Sequence, residues 1–411
     1  MAEMNGLPPC GIEAFRDNSR DSEESRAAQL IAMAVYAFGT EEQRLDIGPD
    51  ADELGVPKIH RLGPSILAEA VPATQQELDN LTFDIIPELG NEVHALGFQE
   101  SGGDRVDVRM KLWDEVREKG STPHLLALLN FEQHSPEELS RTAAAAALEA
   151  AGLPHYAHAR GVLEVSGLST DPRVVELVEA AASARPQAEA DHYGGLRAWE
   201  SREGETRFAL PSVEAMSVAV HGTWARLDET SWYAPKSALS QLIRSRSTPS
   251  LYDNQDHFRW TGGYSEGERR QGGKDLKKWL GKRQASRLDT VFAHSHGGNV
   301  VLGAAAEGVS IKLLVLLHTP AIPRPGDEWA KIRASVSHTV VLRTRLDRVV
   351  MLDGLRTGSK QTFDQALLPH REIKPRATDM RGWFSHSTYV EYGNWSEWGI
   401  PEEIRFEYSM A

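Results

Sequence analysis

Apolar positions are arranged in two different ways along the 411 residues of this chain. Over the first 200 the period is helical. Ala27 to Phe38, Gln75 to Ile86, His124 to Asn130, Glu137 to Ala151 and Val174 to Ala182 each set apolar side chains three and four apart. Ser135-Pro136-Glu137-Glu138 reads as a capping box with proline at the first helical position, and Asp171-Pro172 opens another helix in the same way. Beyond about residue 215 the pattern changes to short uninterrupted apolar runs. Met216–Val220, Thr290–Phe292, Ile311–Leu317 and Thr339–Leu342 are too short for helices and bounded by polar turns, which predicts buried strands. Between them lies an amphipathic segment, Arg269 to Lys282, with Leu276, Trp279 and Leu280 on its apolar face. Strands alternating with helices predict an α/β fold with a mostly parallel sheet, preceded by an all-α domain.

The expected division is 1–205, helical with a linker, and 206–411, α/β; Pro186 to Glu205, with Gly194-Gly195 and mixed charge, is the expected linker. Leu125–Ala151 and Val162–Ala182 resemble HEAT-like helical pairs, but two weak copies fall short of the three that a solenoid needs, and a non-repetitive helical domain is the alternative.

Charge follows the same boundary. Residues 1–200 carry 35 acidic and 16 basic side chains, a balance of −19, and the remainder is +5. The acidic half argues against nucleic acid and allows a protein partner or self-association through its surface; the imbalance reads equally as attraction between an acidic and a basic half across a domain interface or as an ordinary solvated helical surface. The basic helix around Lys277-Lys278 reads as a solvated face, with contact to anionic lipid as the alternative. One cysteine, Cys10, excludes an internal disulfide, Met1 to Gly6 lacks the features of a secretory signal, and no apolar run reaches the ~18 residues of a membrane span. A cytoplasmic location is the expectation.

Candidate chemistry is concentrated in the second half. Ala293-His294-Ser295-His296-Gly297-Gly298 joins an apolar run to a small-residue stretch, the pattern of a strand, a tight turn with serine at its apex, and a helix. Upstream, His221-Gly222-Thr223-Trp224 follows the strand-like Met216–Val220. Downstream, His318-Thr319-Pro320 closes Ile311–Leu317, Asp347 follows the next strand, and His386 lies in the polar, turn-prone Phe384 to Tyr389. A serine needs a base and backbone donors to become a nucleophile, and the order Ser295, Asp347, His386 supplies them in the sequence used by α/β-hydrolases. As alternatives, the serine turn reads as a phosphate cradle or a tight crossover, His370 competes with His386, and Asp353 with Asp347. His294 reads as packing or hydrogen-bonded structure, and neither it nor His296 is placed to be the base. No His-Glu-x-x-His or paired-cysteine spacing points to a metal.

On these motifs residues 215–395 resemble a compact α/β-hydrolase of the lipase/esterase type. Phe258 to Ser265 is similar to the Trp-Ser-Gly segment of some bacterial members. The resemblance implies catalytic Ser295, Asp347 and His386; backbone oxyanion donors at Thr223 or Trp224 and at His296; an oxyanion turn at His221-Gly222; and elbow glycines Gly297 and Gly298. It implies no cofactor and no metal, and a small-molecule or lipid ester as substrate. Two positions depart from the family pattern: Ala293 stands for the usual glycine, and His318 where many lipases carry glycine. Asp228 to Ser265 is either a cap over the pocket or an ordinary crossover with a helix at Lys236–Arg244. A second reading gives the chain a partner-sensing or assembly role, the hydrolase part being a regulated effector or an inactive scaffold.

Overall fold

In the computed structural model, residues 22–63, 66–67, 70–85, 104–154, 156–182, 215–223, 231–373 and 382–411 are described. The expected linker and the 205/206 boundary lie outside them. In chain order the helices of the first half are α1 (Glu23–Phe38), α2 (Glu41–Leu54), α3 (Gln75–Ile85), α4 (Asp104–Lys119), α5 (Thr122–Glu132), α6 (Glu138–Ala150), α7 (Ala157–Ser166) and α8 (Pro172–Ala182). The second half runs β1 (Ala215–Val220), α9 (Ala238–Arg246), α10 (Glu266–Lys282), β2 (Arg287–His294), α11 (His296–Ala306), β3 (Ile311–Leu317), α12 (Gly326–Ser335), β4 (Val336–Leu342), α13 (Arg348–Thr357) and β5 (Arg371–Ile373). A short 3₁₀ turn at Thr388–Val390 then leads to α14 (Tyr392–Glu397) and α15 (Ile400–Met410).

The chain divides into two compact units, and neither is continuous. The first comprises Met1–Ala184, Arg345–Ser359 and Arg376–Ser385; the second comprises Arg185–Thr344, Lys360–Pro375 and His386–Ala411.

In the first unit the described elements are helices gathered around α6, which contacts α1, α5, α7, α8 and α13. Ala143 to Ala147 of α6, and Ala27, Ala28, Ala32 and Ala34 of α1, are fully buried. Side chains this small let helix axes approach closely, which makes alanine-rich segments good centres for a bundle. One local expectation is corrected. The helix after Ser135 begins at Glu138, because Ser135 Oγ accepts from Glu137 N instead of from the first turn; the α6 amide of Leu139 is capped by Glu23 Oε1 of α1 at 2.7 Å. Gly48-Pro49-Asp50 lies inside α2. That helix has a capping box between Thr40 and Gln43, and it is held by Arg345, which pairs with Glu53 at 2.6 Å and Asp50 at 3.2 Å.

In the second unit five parallel strands lie in the order β1-β2-β3-β4-β5. Side chains alternate across the sheet as the two-residue period requires. Val291, Ala293, Leu314 and Leu316 meet α10, α11 and α12 on one face. Phe292, Leu313, Val315 and Leu317 meet α9, α14 and α15 on the other. Burial on both faces accounts for the unbroken apolar runs. The arrangement is a mixed α/β structure with a five-stranded, all-parallel sheet. Every strand therefore delivers its next residue to the same edge. Among the described residues no helix is long and apolar enough to cross a membrane.

Candidate active site

Ser295 follows the last residue of β2 and N-caps α11, with φ 53° and ψ −136°. L-residues rarely occupy that region, and a non-glycine residue there costs about 1–3 kcal/mol. The fold tolerates it because both sides of the turn are fixed. Ser295 N donates to Leu317 O of the neighbouring strand at 2.8 Å, and Gly298 N donates to Ser295 O at 3.0 Å. Three glycines make room. A Cβ on Gly297 would overlap the carbonyl oxygen of His221, one on Gly298 would overlap the Thr319 side chain, and one on Gly222 would lie 2.8 Å from Ser295 Cβ. The β1 turn is thus pressed directly against the serine, and only glycine permits that approach.

His221 shapes this turn from beneath. Its Nδ1–H donates to Gly222 O at 2.8 Å, because a carbonyl can only accept, and its Nε2 accepts from Trp260 N at 3.4 Å. Trp260 Nε1 closes the loop by donating to His221 O at 2.8 Å. Burial pushes the His221 imidazole down to about 4, helped by the charge of His257 and Arg259. His257 falls to about 4 as well, by burial and by Arg259, whose Nε donates to its Nε2 at 3.0 Å. Both are neutral, structural imidazoles. Thr223 follows Gly222 in the turn; Trp224 lies outside the described residues.

On the other side, His296 opens α11, its ring edge-on to Tyr264 at 5.3 Å and its Nδ1 3.4 Å from Asn299 Nδ2. Its amide is in the first turn of α11, where helix N–H groups have no intrahelical acceptor and the dipole favours negative charge.

His386 is buried, in the turn that precedes the 3₁₀ segment. The structure brings it beside the elbow: its carbonyl oxygen accepts from His294 Nε2 at 3.1 Å, and its ring lies 4.8 Å from that of His294 and 5.4 Å from that of His318. Ring nitrogens of His318 and His386 come within 4.8 Å of each other. The competitor His370 sits before β5, with its Nδ1 donating to Leu368 O at 2.7 Å.

Asp347 belongs to the first unit, in the segment entered just after β4. It is 1% exposed, and its Oδ1 caps α13 by accepting from Val349 N at 3.0 Å and Val350 N at 3.1 Å. The competitor Asp353 lies in the interior of α13, where its carboxylate accepts from Ser359 Oγ at 2.7 Å.

Reading the sequence missed the roles of His318, Trp260 and Tyr389. His318 has φ 51°, a second strained residue at the same edge, and its Nε2 accepts from Tyr389 N at 3.2 Å. The signal that was present was the unusual histidine at a position expected to hold glycine. Comparison with family models, with curated proteins and with solved structures finds no match to this chain.

Proposed function

We propose that this protein is a serine hydrolase that cleaves carboxylic esters through an acyl-enzyme, with an α/β-hydrolase fold in its second unit. The observation that carries the proposal is the backbone of Ser295. A serine held at φ 53° between a buried parallel strand and a helix, with a glycine turn packed against its Cβ, is the strained strand-to-helix turn of a nucleophile elbow. A phosphate cradle or a simple crossover needs neither that strain nor a histidine anchored to the preceding residue.

In this mechanism His386 takes the Ser295 proton as Oγ attacks the ester carbonyl. It then returns that proton to the leaving alcohol, and water resolves the acyl-enzyme. Asp347 is the acid that orients His386 and favours its charged form. The N–H groups of His296 and of the Gly222-Thr223-Trp224 turn receive the oxyanion, each worth about 3–4 kcal/mol of barrier. The chemistry requires no cofactor and no metal.

Labelling of the purified chain with a fluorophosphonate probe tests this directly. Stoichiometric labelling that disappears in Ser295→Ala and His386→Ala is the expected result. A folded, unlabelled protein that also fails to hydrolyse short-chain esters sinks the proposal and leaves the partner-sensing reading.

A further inference from the structure

We infer that His294 and His318 are positioning residues that clamp the segment carrying His386 at both of its ends. The inference rests on the hydrolase reading for its kinetic consequence, and on hydrogen-bond geometry alone for the clamp itself.

His294 is the last residue of β2 and His318 the first beyond β3, so neighbouring parallel strands bring them to one edge, with ring centroids 6.0 Å apart. His294 Nε2–H donates to the carbonyl of His386; His318 Nε2 accepts from the amide of Tyr389, three residues on. One end of the segment offers an acceptor, the other a donor, and imidazole in its two neutral tautomers matches each. The tautomers follow: His294 carries its proton on Nε2, and His318 on Nδ1. Each ring also packs against another member of the cluster, His294 edge-on to Trp232 at 6.2 Å and His318 against Tyr389 at 5.1 Å. Tyr389 is held in turn by Trp395 Nε1, which donates to its carbonyl at 2.7 Å. His318 adopts its strained φ of 51° in this position.

A clamp of this kind fixes where a base sits relative to its nucleophile. Misplacing a catalytic group by 1 Å can cost on the order of 100-fold in rate. Neither histidine is assigned contact with the substrate, so its loss should act on kcat and not on KM.

The test uses the full chain. His294→Phe, which keeps a ring but removes the donor, should lower kcat on a short-chain ester and the rate of phosphonate labelling by about 10- to 100-fold, with KM changed less than twofold; His294→Gln, which restores an N–H, should recover most of the loss. His318→Asn, which tolerates positive φ and keeps an acceptor, should outperform His318→Phe in the same way. Wild-type rates in folded His294→Phe and His318→Phe overturn the clamp while leaving the hydrolase reading intact. Should the wild type be inert, the hydrolase reading fails and ¹⁵N-histidine spectra decide the clamp alone. An Nε2–H on His294, an Nδ1–H on His318, and a Tyr389 amide whose exchange protection is lost in His318→Phe support it; the opposite tautomers or an unprotected wild-type amide overturn it.

Discussion

The two units differ in where their backbones are strained and in the polar groups that stand beside the strain. In the first, charged and amide groups are buried in connected pairs. Glu132, 1% exposed, meets Arg109 at 3.0 Å and receives Trp113 Nε1, while Asn130 joins Asp79, Thr82 and Gln75. Burial raises the Glu132 carboxyl above its usual range, and Arg109 opposes it. Positive φ in this unit occurs, among the described residues, only at glycines. In the second unit, buried polar groups near the sheet edge include neutral imidazoles, and Ser295, His318 and Gln284 adopt positive φ. Among the described residues, the non-glycine positive φ values all fall in the second unit, and two of the three, Ser295 and His318, stand where strands end. Strain and desolvation of this kind are found where a protein holds reactive groups in place.

The largest expected effect is at Asp347, the proposed acid of the mechanism. Asp347→Asn should reduce kcat/KM by about 10⁴ while keeping the cap on α13, so thermal stability should hardly move. Asp347→Ala should show the same kinetic loss plus about 1 kcal/mol of stability. Equal activity in both variants and the wild type would remove Asp347 from the mechanism.

Gly297→Ala comes next, because its Cβ would enter the His221 carbonyl. A loss of about 3 kcal/mol in urea unfolding, together with loss of phosphonate labelling, is expected. An effect below 1 kcal/mol would mean the elbow is looser than its contacts indicate.

The third prediction is pH-dependent. His221 has a folded-state pKa near 4 against an ordinary 6.5, so its neutral form stabilises the fold above pH 6.5. That contribution is lost as pH falls from 6.5 towards 4, a change on the order of 3 kcal/mol between pH 7 and pH 4. His221→Gln should flatten this part of the stability profile, and an unchanged profile would contradict the burial of a neutral imidazole.

Smaller effects separate strain from its absence. Ser295→Gly should raise stability by about 1 kcal/mol by relieving the positive φ, at the expense of all labelling. Gly161→Ala, inside α7 with open space around it, should stabilise the first unit by about 0.5–1 kcal/mol, with labelling unaffected. If the two changes were indistinguishable in both readouts, the contrast between the units would collapse.

Much of this architecture is legible in one dimension. The helical period of the first half and the unbroken apolar runs of the second separate helices from buried strands, since a helix buries one stripe and these strands bury both faces. Ile311–Leu317 is a strand over the range its apolar run predicts, and Ser-His-Gly-Gly after an apolar run marks the turn because glycine spacing is a local constraint. Other features depend on partners far along the chain. Helix α2 contains Gly48-Pro49 and forms with its own capping box and a remote arginine, Arg345, against its acidic face. The start of α6 is set by Glu23, 116 residues away. The histidines illustrate the same limit: fifteen occur in the chain, and sequence cannot sort a buried neutral one such as His221 from one such as His294 that anchors a loop. Periodicity, turns and charge are properties of neighbours, so the sequence by itself determined them. Burial, tautomer, backbone strain and the passage of Arg345–Ser359 into the first unit are decided by residues distant in sequence, and only the tertiary structure brings those together.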